Sequence, residues 1–216
     1  MNLYGLTLGL AIVICVEIAS RRNQIIPKKL ENFFIIGLLV SAIIGARAYH
    51  VIDTWDYYST HLWQIPATWQ GGLGIFGALI GGFAFTYLFA KRQKLNISRI
   101  LDLVLSVVPL GQGIGRFGNF FNHEVYSSSG LPVWLFESIA CFILFFVIHK
   151  SPRLSPTGLY LVGYGLIRFL LEFFRTDTWM FGSIKVAQPI SIIFIITGLL
   201  ILHANASKNQ TQNLRP

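Results

Sequence analysis

Seven long apolar stretches run through this chain of 216 residues and leave little of it for any other structure. Each is close to the roughly 20 residues that an α-helix needs to cross a bilayer. They cover residues 3–20, 31–51, 71–90, 100–121, 133–149, 157–174 and 189–203. This pattern predicts one all-α polytopic membrane domain over residues 1–203, with little or no soluble head domain, and a polar tail over 204–216.

Composition excludes several classes of protein. Only 12% of the residues are charged, about half the share typical of a soluble domain. The two cysteines, Cys15 and Cys141, both lie in apolar stretches, which excludes a disulfide framework and a Cys-x-x-Cys zinc site. The net charge of +8 does not indicate nucleic-acid binding, because most basic residues cluster beside apolar stretches as in membrane proteins.

The distribution of basic residues predicts the topology. Twelve of the 17 lysines and arginines fall in alternate connections or in the tail, whereas the opposite side has only Arg175 and Lys185. By the positive-inside rule, the N-terminus is predicted outside and the tail in the cytoplasm. No small-residue cleavage site precedes Arg21, so the first stretch is predicted to be an uncleaved helix. The outer loops, 52–70, 122–132 and 175–188, are rich in Trp and Tyr, which favour the membrane interface.

Three arginines, Arg47, Arg116 and Arg168, fall inside the apolar stretches. Each costs several kcal/mol in hydrocarbon unless it is paired or hydrated, which makes each a candidate functional residue. The predicted topology places all three in the outer halves of their helices. Polar residues are predicted at the same depth: Tyr4, Asn119, Asn122, Glu124, Glu137 and Glu172. We therefore predict one polar, anion-binding site beneath the outer leaflet.

The densest polar segment runs from Gly111 to Glu124 and includes Arg116. Fixed positive charge beside amide donors is what an anion site needs. The alternative is a tightly packed helix in which Gly111 and Gly115 contact a neighbour and Arg116 only balances an acid. A similar choice holds for Arg168, because Glu172 four residues later can form a purely structural ion pair with it.

The glycine-rich run from Gly71 to Gly82 lacks the lysine and the strand context of a phosphate loop, so it is not a nucleotide site. Two interpretations remain open. The glycines allow close helix packing, or the backbone near Gly72 is exposed and admits a lipid headgroup.

The segment from Gly115 to Glu124 resembles the signature of bacterial prolipoprotein diacylglyceryl transferases. Further matches follow in the family's order and cover most of the chain: Tyr4-Gly5, Gly45-Ala46-Arg47 with Tyr49, Gly71-Gly72-Leu73, Phe136-Glu137, Gly163-Tyr164-Gly165, Arg168-Phe169, Glu172 to Arg175, and Gln188 to Ser191.

The resemblance implies a seven-helix enzyme of the bacterial cytoplasmic membrane. Such enzymes move diacylglycerol from phosphatidylglycerol to the lipobox cysteine of preprolipoprotein signal peptides, the first step of lipoprotein maturation. The implied partners are phosphatidylglycerol, preprolipoproteins and membrane lipids, with the active site facing the outer leaflet. The resemblance implies no metal or organic cofactor and no nucleic acid.

The chemistry of this reaction suggests a role for each candidate residue. Arg116 and Arg168 are predicted to be catalytic, because guanidinium groups bind phosphate and stay charged. Tyr4, Glu124 and a phosphate oxygen of the lipid remain alternative general bases. The predicted substrate contacts are Arg47, Gly72, Phe76, Arg116, Asn119, Asn122, Glu137 and Glu172.

Three departures from the family pattern affect this interpretation. Phe76 stands where some members have a histidine, and Ser127 stands where the signature usually ends in glycine. The connection between Glu124 and Glu137 is short, so an insertion found in larger members is nearly absent. These departures leave open an inactive relative that binds phospholipid or lipoprotein. The same arginines also leave open a lipid or anion transporter that carries a phosphate headgroup.

Overall fold

The computed structural model describes residues 3–122, 125–127, 130–176, 178, 180–182 and 184–213. Within these residues the chain is almost entirely helical. The helices are α1 Leu3–Arg22, α2 Lys28–Asp53, α3 Trp55–Tyr58, α4 Ile75–Gln93, α5 Ile97–Leu105, α6 Val108–Phe121, α7 Val133–Lys150, α8 Pro156–Leu171 and α9 Ala187–Asn213. Short 3-10 turns occupy Leu62–Gln64 and Thr68–Gln70. A two-residue hairpin, β1 Met180–Phe181 with β2 Ile184–Lys185, is the one departure from the all-α prediction in the described part of the chain.

Six helical segments of the described chain are long and apolar enough to cross a membrane. They are Leu3–Arg22, Lys28–Asp53, Ile75–Gln93, Ile97–Phe121, Val133–Lys150 and Ala187–Ser207. The predicted sixth stretch forms α8, an apolar helix of only 16 residues. The prediction of an all-α polytopic membrane protein is confirmed.

Exposure of the side chains follows the pattern of a membrane protein. Val13, Ile36, Ile80 and Leu200 are each more than half exposed, as expected for helices that face lipid. Arg47, Glu137 and Glu172 lie inside instead, because lipid cannot solvate a charged group.

The fourth predicted helix, 100–121, is divided into α5 and α6 at Ser106 and Val107. Pro109 lies in the first turn of α6, and proline has no backbone N–H and disfavours a helical conformation in the residue before it. Helix α9 continues from residue 204 to Asn213, through most of the predicted polar tail.

The chain divides into two compact units. The first contains residues 1–23 and 101–216. In it α1 packs on α6, α6 on α7, α7 on α8, and α8 on α9. Glycines permit the closest of these contacts: a Cβ atom on Gly165 would lie 2.9 Å from the Ser191 carbonyl oxygen of α9. The predicted Gly111–Gly115 pair is wrong in part, because Gly111 lies against Cys15 of α1 but nothing is within 4 Å of a Cβ built on Gly115.

Side-chain hydrogen bonds hold the N-terminus of helix α8. Ser155 is its N-cap, and its hydroxyl accepts a hydrogen bond from the Gly158 N–H at 3.3 Å. The Asp102 carboxylate accepts from the Ser155 hydroxyl at 2.7 Å and from the Thr157 N–H at 3.0 Å. A carboxylate at a helix N-terminus is favourable, so Asp102 anchors the helix that carries Arg168.

The second unit contains residues 24–100, in which α2 packs on α4. The two backbones nearly touch, because a Cβ on Gly81 would lie 3.2 Å from the Gly45 Cα. The close-packing interpretation of the glycine run is therefore confirmed for this helix. Farther along the pair, the rings of Phe34 and Phe89 pack with centroids 5.0 Å apart.

Candidate functional site

Helix α6 carries Arg116 and Asn119 less than one turn apart. The Arg116 guanidinium donates through Nη1 to the Asn119 side-chain oxygen at 3.3 Å and through Nη2 to Glu137 Oε1 at 2.6 Å. Its side chain is 23% exposed, whereas Asn119 is buried. Arg116 is thus held on one edge by α7 and keeps part of its surface open.

Glu137, on the second turn of α7, is the centre of the site. Its side chain is fully buried, and it accepts a hydrogen bond from the Tyr164 hydroxyl at 3.3 Å. Besides Arg116, two further guanidinium groups face its other oxygen, Oε2: Arg168 Nη1 at 3.8 Å and Arg175 Nη1 at 3.7 Å. Three arginines, one from α6 and two from the end of α8 and the turn after it, therefore surround one carboxylate.

Helix α8 supplies the second carboxylate. Arg168 Nη2 donates to Glu172 Oε2 at 2.9 Å, the i,i+4 ion pair that the sequence predicts. Glu172 is almost fully buried at the end of α8. One turn before Arg168, the Tyr164 ring stacks parallel to Tyr160, with centroids 5.5 Å apart. Arg168 therefore belongs both to the structural pair and to the group around Glu137.

We call Arg116, Glu137, Arg168, Glu172 and Arg175 the arginine cluster. Its three guanidinium groups face two carboxylates, which leaves one positive charge in excess. The carboxylates are buried, while the side chains of Arg168 and Arg175 are 18% and 11% exposed. Buried carboxylates fix the guanidinium groups, and guanidinium groups are suited to bidentate contacts with an anion such as phosphate.

Tyr4 lies beside α6. A Cβ atom on Gly118 would meet the Tyr4 ring, with Cδ2 2.6 Å away, so only glycine at position 118 allows this approach. Gly118 lies in the last turn of α6, between Arg116 and Asn119 in the sequence. Tyr4 therefore packs against the helix that carries the predicted signature residues.

Arg47, in the second unit, has different partners. Its guanidinium donates four hydrogen bonds to backbone carbonyls of the loop after α3: Ile65 and Gln64 at 2.7 Å, Gly71 at 2.8 Å and Gly72 at 3.1 Å. The guanidinium carbon also lies 5.1 Å from the centre of the Tyr58 ring. Arg47 is buried and organises this loop.

The sequence of the chain matches the family model of prolipoprotein diacylglyceryl transferase over residues 1–204. The chain belongs to the prolipoprotein diacylglyceryl transferase family. Curated relatives are named phosphatidylglycerol–prolipoprotein diacylglyceryl transferase. One from Finegoldia magna is 35% identical over 92% of this chain and 88% of its own length. One from Streptococcus pneumoniae is 34% identical over 92% and 87%, and one from Synechococcus elongatus is 33% identical over 91% and 81%. With its apolar helices, the chain is a multi-pass bacterial membrane protein.

The family signature ends in a compact turn. The predicted catalytic residue Glu124 lies outside the described residues, but Val125 follows it with φ 62°, which is unusual for a β-branched residue. Val125 is buried against Trp134. The backbone N–H of Trp134 donates to the Val125 carbonyl at 3.2 Å. Ser127, where the signature usually has glycine, accepts through its hydroxyl from the Leu131 N–H at 3.0 Å. Serine thus stabilises the short turn in this chain.

The remaining predicted substrate contacts are in two places. Asn122 caps the end of α6 and is exposed. Gly72, with φ 71°, lies against Arg47, because its added Cβ would be 2.7 Å from Arg47 Nη1. Phe76, in the first turn of α4, packs at an angle against Tyr49, with centroids 6.0 Å apart. The substrate contacts of these residues stay predictions.

Two residues of this region, Arg175 and Lys185, had no predicted role in the site: both were placed in an outer loop, and Arg175 was also part of a family match. Lys185 donates to the backbone carbonyls of Glu172 at 2.6 Å and Arg175 at 2.9 Å. Spacing could have identified Arg175, because residues 168, 172 and 175 would share one face of a helix that continued beyond Leu171. No comparable signal marks Lys185, whose partners are backbone atoms.

Proposed function

We propose that this chain transfers the diacylglyceryl group of phosphatidylglycerol to the lipobox cysteine of preprolipoproteins and releases glycerol 1-phosphate. The observation that carries the proposal is the arginine cluster, with three guanidinium groups around buried Glu137 in a membrane protein of this family. A phosphodiester headgroup is an anion, and the cluster has one positive charge in excess.

The reaction makes two chemical demands. The cysteine sulfur forms a bond to the glyceryl carbon, the bond from that carbon to the phosphate oxygen breaks, and the phosphate keeps the electron pair. The thiol proton passes to a base. Stabilising the departing phosphate is the demand that fixed guanidinium groups meet, because they favour the transition state in which negative charge collects on the leaving oxygen.

Four residues of the cluster and two neighbouring asparagines have roles in this proposal. Arg116 and Arg168 contact the phosphate, and the amide of Asn119 or Asn122 adds a neutral donor. Glu137 and Glu172 keep the guanidinium groups in place, since an unpaired arginine would be costly and poorly oriented. The fully buried position of Glu137 supports a role in orienting Arg116 and Arg168 over direct contact with substrate.

The general base remains a choice among Glu124, Tyr4 and a phosphate oxygen of the lipid. The contact of Tyr4 with α6 at Gly118 supports its place near the reacting groups. The base must first lie within hydrogen-bond reach of the thiol. The pKa of the base is the second requirement.

Residues of the second unit have roles of their own in the proposal. Arg47 and Gly72 shape the loop over residues 64–72, and Phe76 forms an apolar wall for substrate. The four hydrogen bonds of Arg47 to this loop support an indirect action, through the loop backbone, more than direct contact with phosphate.

We further propose seven spans in the bacterial cytoplasmic membrane, with residues 1–203 as the transferase domain, the N-terminus outside, the tail inside and the cluster facing the outer leaflet. The asymmetry of basic residues supports this orientation. A membrane-impermeant thiol reagent should label Ser59→Cys but not Ser98→Cys in intact cells. Both positions are exposed, so labelling in the reverse sense would reject the orientation.

The activity is tested with purified protein, phosphatidylglycerol and a lipobox peptide, by measuring glycerol phosphate and peptide lipidation. We expect release that requires the peptide cysteine and is absent with a serine peptide. Binding of lipid without release would indicate an inactive relative, and movement of lipid between leaflets without release would indicate a transporter. Either result would reject the proposed activity.

A further inference from the structure

The side chain of Lys185 reaches from the hairpin to the end of α8. We propose that Lys185 is a positioning residue for the transfer reaction, an inference that rests on the proposed function. By bonding the backbone carbonyls of Glu172 and Arg175, it holds the turn from which both of their side chains enter the arginine cluster.

The end of α8 needs such a partner. The last carbonyls of a helix have no intrahelical donor, and a cation is favoured there by the helix dipole. Two backbone hydrogen bonds continue the turn, from the Glu172 N–H to the Arg168 carbonyl at 3.1 Å and from the Phe174 N–H to the Leu171 carbonyl at 3.0 Å. Lys185 then satisfies two later carbonyls, at 2.6 and 2.9 Å.

The same two residues orient the cluster. The side chain of Glu172 accepts from Arg168 at 2.9 Å, and that of Arg175 lies 3.7 Å from Glu137 Oε2. Both side chains are nearly buried, so they cannot compensate for a displaced backbone by adopting other rotamers freely. A shift of the turn therefore moves a carboxylate and a guanidinium of the cluster together.

Lys185 is itself well anchored. It pairs with Met180 in the hairpin, and α9 begins two residues later at Ala187. Helix α9 packs closely on α8 at Gly165. Lys185 thus ties the start of α9 to the end of α8, and its half-buried ammonium group donates two strong hydrogen bonds there.

Three variants test this role: Lys185→Met, Lys185→Arg and the control Lys150→Met. Lys150 is also a lysine at the end of a helix, but it is exposed and has no side-chain hydrogen bond in the described structure. For Lys185→Met we expect kcat to fall roughly 10- to 100-fold and KM for phosphatidylglycerol to change less than about threefold. Arg116 and Arg168 remain to bind the lipid, but their alignment for the transition state is lost.

Lys185→Arg should restore most of the lost turnover, because it keeps the charge and the donors. Lys150→Met should stay within about twofold of the parent protein. Unchanged kcat in Lys185→Met, an equal loss in Lys185→Arg, or an effect confined to KM would each overturn the proposal.

Hydrogen exchange separates this inference from the proposed function, since it needs no activity. In Lys185→Met, amides of residues 168–176 should exchange faster while those of α7 stay protected. Unchanged exchange in 168–176, faster exchange through all helices, or failure to fold would overturn the positioning role. A parent protein without transferase activity would reject the proposed function, and the exchange result would still decide whether Lys185 holds the turn.

Discussion

Arg47 and Arg116 lie in helical segments that can cross a membrane, yet the protein stabilises them in different ways. Arg47 donates four hydrogen bonds to neutral backbone carbonyls and is buried. Arg116 donates to a carboxylate and to an amide oxygen, and about a quarter of its side chain is exposed. The first arrangement leaves the guanidinium little freedom, whereas the second leaves an edge for another anion.

The difference indicates two uses of an intramembrane arginine. Backbone carbonyls fix a loop when they converge on one guanidinium, because four hydrogen bonds must break before the loop can move. Carboxylates fix the guanidinium itself, and a phosphate can add to its remaining donors. The two regions should therefore respond differently to substitution.

The largest effect is expected for Glu137→Gln. This change keeps the size of the side chain but removes the charge that faces Arg116, Arg168 and Arg175, so the guanidinium groups repel one another in a buried site. Breaking such a pair costs about 3–5 kcal/mol of the free energy of unfolding. Denaturant unfolding in detergent micelles measures this loss of the free energy of unfolding. Glu17→Gln, which removes an exposed ion pair with Arg21, should cost less than about 1 kcal/mol.

Arg116→Lys should reduce turnover about 100- to 1000-fold, as for loss of one transition-state donor. Lysine keeps the charge but lacks the planar group that contacts carboxylate and phosphate together. The exposed Arg99 provides the matched control, since Arg99→Lys should behave as the parent protein. Near-normal turnover in Arg116→Lys would favour the interpretation in which Arg116 only balances Glu137.

Arg47→Lys should mainly loosen the loop. One ammonium group cannot replace four hydrogen bonds directed to residues 64, 65, 71 and 72. Amides of this loop should therefore exchange faster, because the free energy of local opening falls by about 1–3 kcal/mol. Turnover should fall by no more than roughly tenfold, as expected of a residue that acts indirectly. Arg92→Lys, at the exposed C-terminal end of α4, is the control. Loss of turnover equal to that of Arg116→Lys, with unchanged loop exchange, would remove the distinction between the two arginines.

The smallest effect is expected for Phe76→Tyr. The ring that packs against Tyr49 is preserved, so peptide lipidation should stay within about threefold of the parent protein. If the parent protein has no transferase activity and Phe76→His gains it, a catalytic group is missing at this position.

The sequence predicted the parts of the molecule that hydrocarbon constrains most. Because intramembrane charges need partners, Arg116, Arg168, Glu137 and Glu172 could be expected to meet, and they do. The loop bound by Arg47 could not be predicted, since carbonyl acceptors belong to every residue and leave no trace in composition. The division of α5 from α6 was foreseeable from Pro109, whereas the role of Lys185 depends on a hairpin whose strands are two residues long.

The partners of the intramembrane arginines also lie close to them along the chain, which bears on how the protein enters the membrane. Arg168 meets Glu172 four residues later, Arg116 meets Glu137 after 21 residues, and the carbonyls that bind Arg47 lie within 25 residues of it. A chain inserted from its N-terminus therefore presents a partner for each of these charges within the same helix, the following loop or the next helix. Insertion as successive helical pairs avoids leaving any of them alone in lipid, where each would cost several kcal/mol.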